Sequence, residues 1–551
     1  MTDLDAALAD LLESDFAASP VMGSQVGRTE FDEQLDDVSA DAFAARDATA
    51  ASLLARLDAI GDDGLSPDEA IDRDLARSVL RGRLIMAPFA QWRRDPVTYS
   101  GPITSGLFTL FLHRLRPEAE LVDAAVARLE QVERVVDAGI ANLDPALAHP
   151  LIVERGLGAA RGAARYVRDL VWRDVEDPGA RDRLRDAGAR ATPHLDRYVA
   201  HLEALLPQAH GSWQLGEEGY TRILREREVL ADDARSLRER GQAELERLDA
   251  EMSALAREAT GNADYVEVLR QDDANHPPTE PAMLEAYTEW TATARGFLAA
   301  TGLVTLPEGE TCAVVPSPVF QRPVLGVASY IAPPAFSDRQ RGHFFVPFAP
   351  DGASEEEVQA RLSNNSYGGI PTTAVHEAYP GHHWHLVMRK RNPSAIRRVY
   401  STPYFSEGWA LYAERVMRER GFFENPLHVL QHLNATLFRA ARIVVDTSLH
   451  LGEMSYEEGV SFMVERAALP EPVARAEVGR YCWWPTQASS YLTGCLEILG
   501  MRSRYLAARG FDGVSPAAVP VATLRDFHDA ITSSGSLPLG LADRAVMASL
   551  G

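Results

Sequence analysis

From about residue 30 to 260, apolar positions recur at threes and fours among Ala, Arg and Glu, and β-branched runs are few. That is the period of packed amphipathic helices. Leu230, Ala234, Leu237, Gly241, Leu245, Leu248, Met252 and Leu255 form the clearest stripe, predicting a helix over about 232–259 with acids at its start and Gly261 at its end. The apolar run from Pro102 to Leu112 is too short to cross a bilayer and is expected to line the interior. Over 270–281 polarity rises and three prolines cluster, which reads as a loop joining two lobes, 1–270 and 271–551. A helix follows to about Thr301. The pattern then changes: 311–316, 324–330 and 343–348 are short runs rich in Val and Phe, bounded by Pro, Gly and Asp, and they predict a small β-sheet. Helices return from Gly421. The fold class expected is mainly α, with two lobes around a cleft.

Composition changes this little, and charge changes it in one respect. Apolar residues make 46% of the 551 and charged ones 24%, ordinary for a chain that buries a large core. Acidic side chains number 79 against 55 basic ones, a net charge of −24, which repels nucleic-acid phosphates and anionic bilayers. DNA, RNA and membrane are therefore excluded as partners, while cationic or neutral small substrates are easier to admit. The acidic start has no basic stretch followed by an apolar run, and no apolar stretch nears the ~20 residues of a span, so a cytoplasmic protein is expected. Cys312, Cys482 and Cys495 are widely spaced and form no Cys-x-x-Cys pair, so they read as small apolar residues.

The candidate chemistry lies between His376 and Glu407. Four of the fifteen histidines, His376, His382, His383 and His385, fall within ten residues beside Glu377, a density that points to a metal. In the motif His-Glu-x-x-His, two His one turn apart bind zinc and the Glu handles the attacking water. Here Pro380 stands where the second His would be, and His382 is six residues after His376, about 120° away on an unbroken helix. Pro380 lacks an amide proton and its ring collides with the His376 carbonyl, while Gly381 tolerates almost any dihedral. A bulge in the helix between Ala378 and Gly381 is therefore expected, absorbing two residues and returning His382 to the face of His376. His383 is the rival: seven residues restore the face, but a rise of about 10.5 Å is long for two ligands of one ion. A catalytic zinc takes three protein ligands, so a third donor is required. Glu407, 25 residues past His382, is placed to return as that donor, and Glu414, two turns further on its face, is the alternative ligand or a carboxylate behind the first ones. The competing reading is a solvated helix face, with Glu407 as an acid at a helix start.

The stretch from His376 to His383, followed by Glu407-Gly-Trp-Ala-Leu-Tyr-Ala-Glu414, resembles the bacterial domain-of-unknown-function family 885, with further echoes in 439–450 and 485–491. That family is similar to helical zinc peptidases of the thimet oligopeptidase, angiotensin-converting enzyme and carboxypeptidase Taq type. The resemblance implies a zincin-like, gluzincin-type body in which a Glu about 25 residues after the second His completes the site. It also implies an edge strand beside the metal helix to which an extended peptide adds; a small structural hairpin is the alternative. The departure from the pattern is the two-residue insertion in the metal motif.

Further along, Arg442, Asp446 and His450 stand four apart on one face of a helix ending at Gly452. Asp446 is a candidate acceptor for the second N–H of a metal-bound imidazole, and Arg442 a candidate for a substrate carboxylate; an ion-pair ladder on the helix surface is the alternative. After Trp483-Trp484-Pro485, a Pro-led helix is expected to carry Gln487 and Tyr491 one turn apart, Tyr491 being either a donor to a developing oxyanion or a packed aromatic. Tyr330, in the second strand run, and His383 complete the candidates behind the metal or at the substrate. The protein expected is a zinc metallopeptidase with one Zn2+ per chain held by His376, His382 and Glu407, acting on a peptide or other amide. Glu377 takes a proton from the attacking water and gives it to the leaving nitrogen. The second reading is a zinc hydrolase of a non-peptide amide or ester, and the third a metal-binding scaffold without catalysis, which would gain nothing from a free carboxylate at Glu377.

Overall fold

The apolar stripe that begins at Leu230 becomes helix Ala234–Thr260, opened by a capping box between Asp233 and Ser236 and closed by Gly261 at φ +81°. Its buried face is Ala234, Leu237, Gly241, Leu245, Leu248, Met252 and Ala256. A computed structural model describes residues 2–322 and 326–550 of the chain. It is mainly helical with one small sheet, and the apolar run at 102–112 lies in helix Val97–His113 with Ile103, Leu107, Leu110 and Phe111 buried, as its pattern predicts. Among the described residues, no helix is long and apolar enough to cross a membrane.

The chain packs as two units. The first comprises Met1–Asp63, Val79–Trp213 and Pro333–Arg339. Its core includes Tyr99 and Tyr198, edge to face at 6.3 Å, and a fully buried Arg128 whose guanidinium donates to the carbonyls of Gly106, Gln34 and Phe31. The second comprises Gly64–Ser78, Gln214–Ala332 and Gln340–Gly551. The division is therefore not the one expected at 270. Residues 214–270 belong to the second unit because helix Ala234–Thr260 lies along helix Pro426–His450, so closely that a Cβ on Gly241 would come within 2.7 Å of Ile443. The proline-rich stretch is a turn between helices Tyr265–Asp273 and Glu280–Thr301 inside that unit.

The sheet, also in the second unit, has strands β1 (Thr311–Pro316), β2 (Ser329–Ile331) and β3 (Arg341–Val346) in the order β1-β3-β2. β1 runs parallel to β3 with Thr311 opposite Arg341, and β2 runs antiparallel with Tyr330 opposite Phe344. The first strand run is where the pattern put it, the third begins two residues earlier, and the second is shorter than expected; positions 324 and 325 of that run lie outside the described residues. Central β3 buries Phe344, Phe345 and Val346, with Phe344 edge to face against Tyr287 at 5.4 Å, which leaves β1 and β2 as the edges.

Helices Pro403–Glu419 and Ser490–Ala508 pack on each other through two glycines. A Cβ on Gly408 would lie 2.5 Å from the Gly494 backbone, and one on Gly494 would lie 1.9 Å from the Tyr404 carbonyl oxygen. No rotamer relieves a clash with backbone. Gly494→Ala is expected to cost about 1–3 kcal/mol of unfolding free energy by forcing the helices apart. An unchanged denaturation midpoint would contradict this contact.

Candidate metal centre

Helix Ile370–Glu377 stops where the sequence says it must. Ala378 leaves helical dihedrals at φ −117°, ψ −84°, the Tyr379–Pro380 peptide is cis, and a new helix, His382–Lys390, begins after Gly381. The Gly381 amide donates to the Val375 carbonyl at 3.0 Å, a bond spanning six residues where a helix spans four, so two residues are absorbed. This is a full break between two helices rather than a bulge inside one. Only glycine fits at 381, because a Cβ there would sit 1.9 Å from the His376 carbonyl oxygen. The indole of Trp409, on helix Pro403–Glu419, donates to the Pro380 carbonyl at 2.8 Å and ties the break to the helix that carries Glu407.

Three donors converge as a result. Glu407 Oε2 lies 3.4 Å from His376 Nε2 and 3.3 Å from His382 Nε2, and all three donor atoms lie within 4.8 Å of one another. Two ligands of a tetrahedral zinc with bonds of about 2.0–2.1 Å stand about 3.3–3.4 Å apart, so the two Glu407 edges fit the ion. The tautomer fits as well. His376 Nδ1 donates to Glu414 Oε1 at 2.7 Å, which turns Nε2 toward the other donors, where an ion would take the place of its proton. Burial opposes a charge on His376, yet its contacts with Glu407 and Glu414 raise it to about 9. Burial likewise opposes ionisation of Glu414, but His376 and His432 hold it at about 2; Glu407 too is held well below the usual carboxylate range, by His382 and His376. The centre is electronegative and favours a cation.

Glu377 is next to this triangle and buried. Desolvation raises its carboxyl above the ordinary range, against the charges of His382 and His376, and its Oε2 has no hydrogen-bond partner. An unpaired buried carboxyl oxygen is costly unless a ligand or water meets it.

His383 is not among the donors, because both its nitrogens are taken. Nε2 donates to Glu310 at 2.7 Å, so Nδ1 accepts from the Tyr330 hydroxyl at 2.8 Å. Glu310 also accepts from Tyr379 and Arg295. Tyr330, on edge strand β2, therefore supports helix His382–Lys390 through His383 and does not reach the donors. Glu414 is not a ligand either: its oxygens are shared between His376 and His432, the latter at 3.1 Å. Glu414→Gln, which cannot accept from both imidazoles, is expected to weaken zinc affinity about 10- to 100-fold in a chelator competition. Unchanged affinity would sink that role.

The remaining candidates divide. Asp446 does not accept from His376, whose Nδ1 is held by Glu414; Asp446 is fully buried and accepts from Tyr220 at 2.6 Å. Its helix neighbour His450 lies with Nε2 3.0 Å from the Tyr481 carbonyl. Nor is this face a surface ladder, for Arg442, Asp446 and His450 are all buried, the Arg442 guanidinium binding Glu477 at 2.8 Å and the Tyr481 hydroxyl at 3.2 Å. Arg442 is thus engaged by the protein and not open to a substrate carboxylate. Tyr491 stacks on the His376 ring, with centroids 6.5 Å apart and planes at 19°. Gln487 is not on the same helix, because Thr486 takes φ +70°, 485–489 form turns, and the helix starts at Ser490. Gln487 nevertheless donates to the Tyr491 hydroxyl at 3.3 Å. Sequence reasoning missed Glu310 and His432. His432 carried a faint signal, a second histidine four residues before it at 428; Glu310 carried none.

The fold recurs in solved structures. A candidate lipoprotein of unknown function from Shewanella oneidensis is 20% identical, with all of both chains covered and a TM-score of 0.78. Another candidate lipoprotein, from Colwellia psychrerythraea, is 19% identical over 100% of this chain and 99% of that one, with a TM-score of 0.82. At such identity the likeness is one of fold. No curated protein matches the chain. One family does, over residues 20–546, and the chain therefore belongs to the bacterial proteins of unknown function DUF885.

Proposed function

We propose that this protein is a zinc-dependent hydrolase of peptide bonds. The observation that carries the reading is the convergence of His376, His382 and Glu407 beside a buried Glu377 with an unpaired oxygen. His376, His382 and Glu407 would hold the ion, with Glu414 fixing the His376 tautomer. Zinc supplies Lewis acidity toward the scissile carbonyl and acidifies water in that place. Glu377 accepts the proton of the attacking water at its free oxygen and passes it to the leaving amide nitrogen. Its upward shift, caused by burial, makes the carboxylate a stronger base for the proton it accepts. Tyr491 accepts from Gln487, so its own hydrogen is free to meet the oxyanion that develops on the carbonyl. Edge strand β2, held to helix His382–Lys390 by Tyr330 and His383, offers free backbone groups for an extended substrate.

A purely structural zinc is disfavoured because such sites close with a fourth protein ligand, and the cluster has three. Metal analysis of protein purified without chelator tests the reading; about one zinc per chain is expected. A content near zero that added zinc cannot raise would sink it. The lipoprotein descriptions of the two similar structures suggest an envelope location for those proteins, and cell fractionation decides between that and the cytoplasm for this chain.

A further inference from the structure

A chain of net charge −24 would be expected to surround its site with acids, yet two guanidiniums, those of Arg439 and Arg442, stand over the Tyr491 ring, and a third, Arg480, shares Glu477 with Arg442. Arg442 and Arg480 both bind Glu477 Oε2, at 2.8 and 3.0 Å, and the Tyr481 hydroxyl donates to the same oxygen. Arg439 is left over. Its Nη1 donates to the Ala435 carbonyl of its own helix at 2.9 Å, its buried Nε has no partner, and among the described residues no carboxylate lies within ion-pair distance of it. It is not remote from the metal donors. Arg439 stands seven residues after His432, on the same helix face as the histidine that binds Glu414. Its guanidinium carbon lies 5.8 Å from the centre of the Tyr491 ring, and the His376 ring lies 6.5 Å from that same centre. Its charge is also one of those that oppose the burial of Glu377 and Glu414.

A guanidinium with open donors in a partly buried site is costly without an anion, and its planar fork matches a carboxylate with two parallel hydrogen bonds. We infer that Arg439 binds the C-terminal carboxylate of the substrate, which makes the site exo-acting from the carboxyl end. The inference rests on the hydrolase reading, because the one anion that every peptide brings to an amide-cleaving site is its terminal carboxylate. Reach limits the cut. Two ring-sized steps separate His376 from Arg439, and an extended residue spans about 3.3–3.6 Å, so cleavage falls within about three residues of the C-terminus. The account also explains why Arg442, nearer to Tyr491 at 4.6 Å, is not the substrate's partner: Glu477 and Tyr481 already hold it.

The test is equilibrium binding by calorimetry to the zinc-loaded Glu377→Gln protein, which needs no turnover. The probes are benzoyl-glycyl-phenylalanine and its C-terminal amide, measured with Arg439 present and with Arg439→Ala. The acid should bind about 10- to 100-fold more tightly than the amide, and Arg439→Ala should erase the difference by weakening the acid alone. Equal affinities, no measurable binding of the acid, or a preference for it that survives Arg439→Ala would overturn the inference. Its failure is separable from that of the hydrolase reading. If the acid binds through Arg439 but the zinc-loaded parent protein does not cleave it, hydrolysis fails and the carboxylate site stands.

Discussion

Glu377→Gln should lower turnover by at least about 10²–10⁴-fold, the usual contribution of general acid–base catalysis, while zinc content stays at one per chain. The asymmetry follows from position. Glu377 succeeds His376 directly, its carboxyl is buried and raised, and it is not one of the three converging donors. Glutamine keeps the shape and removes the proton-accepting oxygen, so chemistry should fail and the ion stay. Metal analysis alongside steady-state rates reads both quantities. Loss of zinc in this variant would make Glu377 a ligand instead.

His382→Ala should abolish tight zinc binding, whereas His383→Ala should leave zinc in place and unfold more easily. His382 Nε2 is one corner of the donor triangle, and two ligands without it cannot make a catalytic site. His383 is fully buried and donates to a buried Glu310, so its removal strips one of that carboxylate's donors at a cost of about 1–3 kcal/mol. Chelator competition and chemical denaturation on the two variants separate the roles. Zinc lost from His383→Ala and retained by His382→Ala would invert the assignment.

The site was legible where a residue type dictates backbone. Pro380 cannot continue a helix past the His376 carbonyl and Gly381 can turn the chain, so the return of His382 to His376 follows from local chemistry. Glu414 was half legible: its spacing from Glu407 put it on the right face, but only the packing of helix Pro426–His450, which brings His432, distinguishes an acceptor from a ligand. Asp446 shows the converse. Its helix face reads like that of a carboxylate behind a metal histidine, yet tertiary packing aims it at Tyr220. The boundary expected at 270 failed similarly, since prolines punctuate the local chain while the contact of Gly241 with Ile443 sets the grouping. After Trp484, the rule that proline opens helices gave way to Thr486 at positive φ, a conformation that a threonine rarely announces.

The central claim, that these residues form a zinc peptidase, is tested most directly by the masses of products from a mixed peptide library incubated with the protein, with and without one equivalent of zinc. The account predicts new masses only with zinc, each pair of fragments summing to a parent peptide plus one water. A protein carrying one zinc per chain that yields no new masses from the library would contradict it.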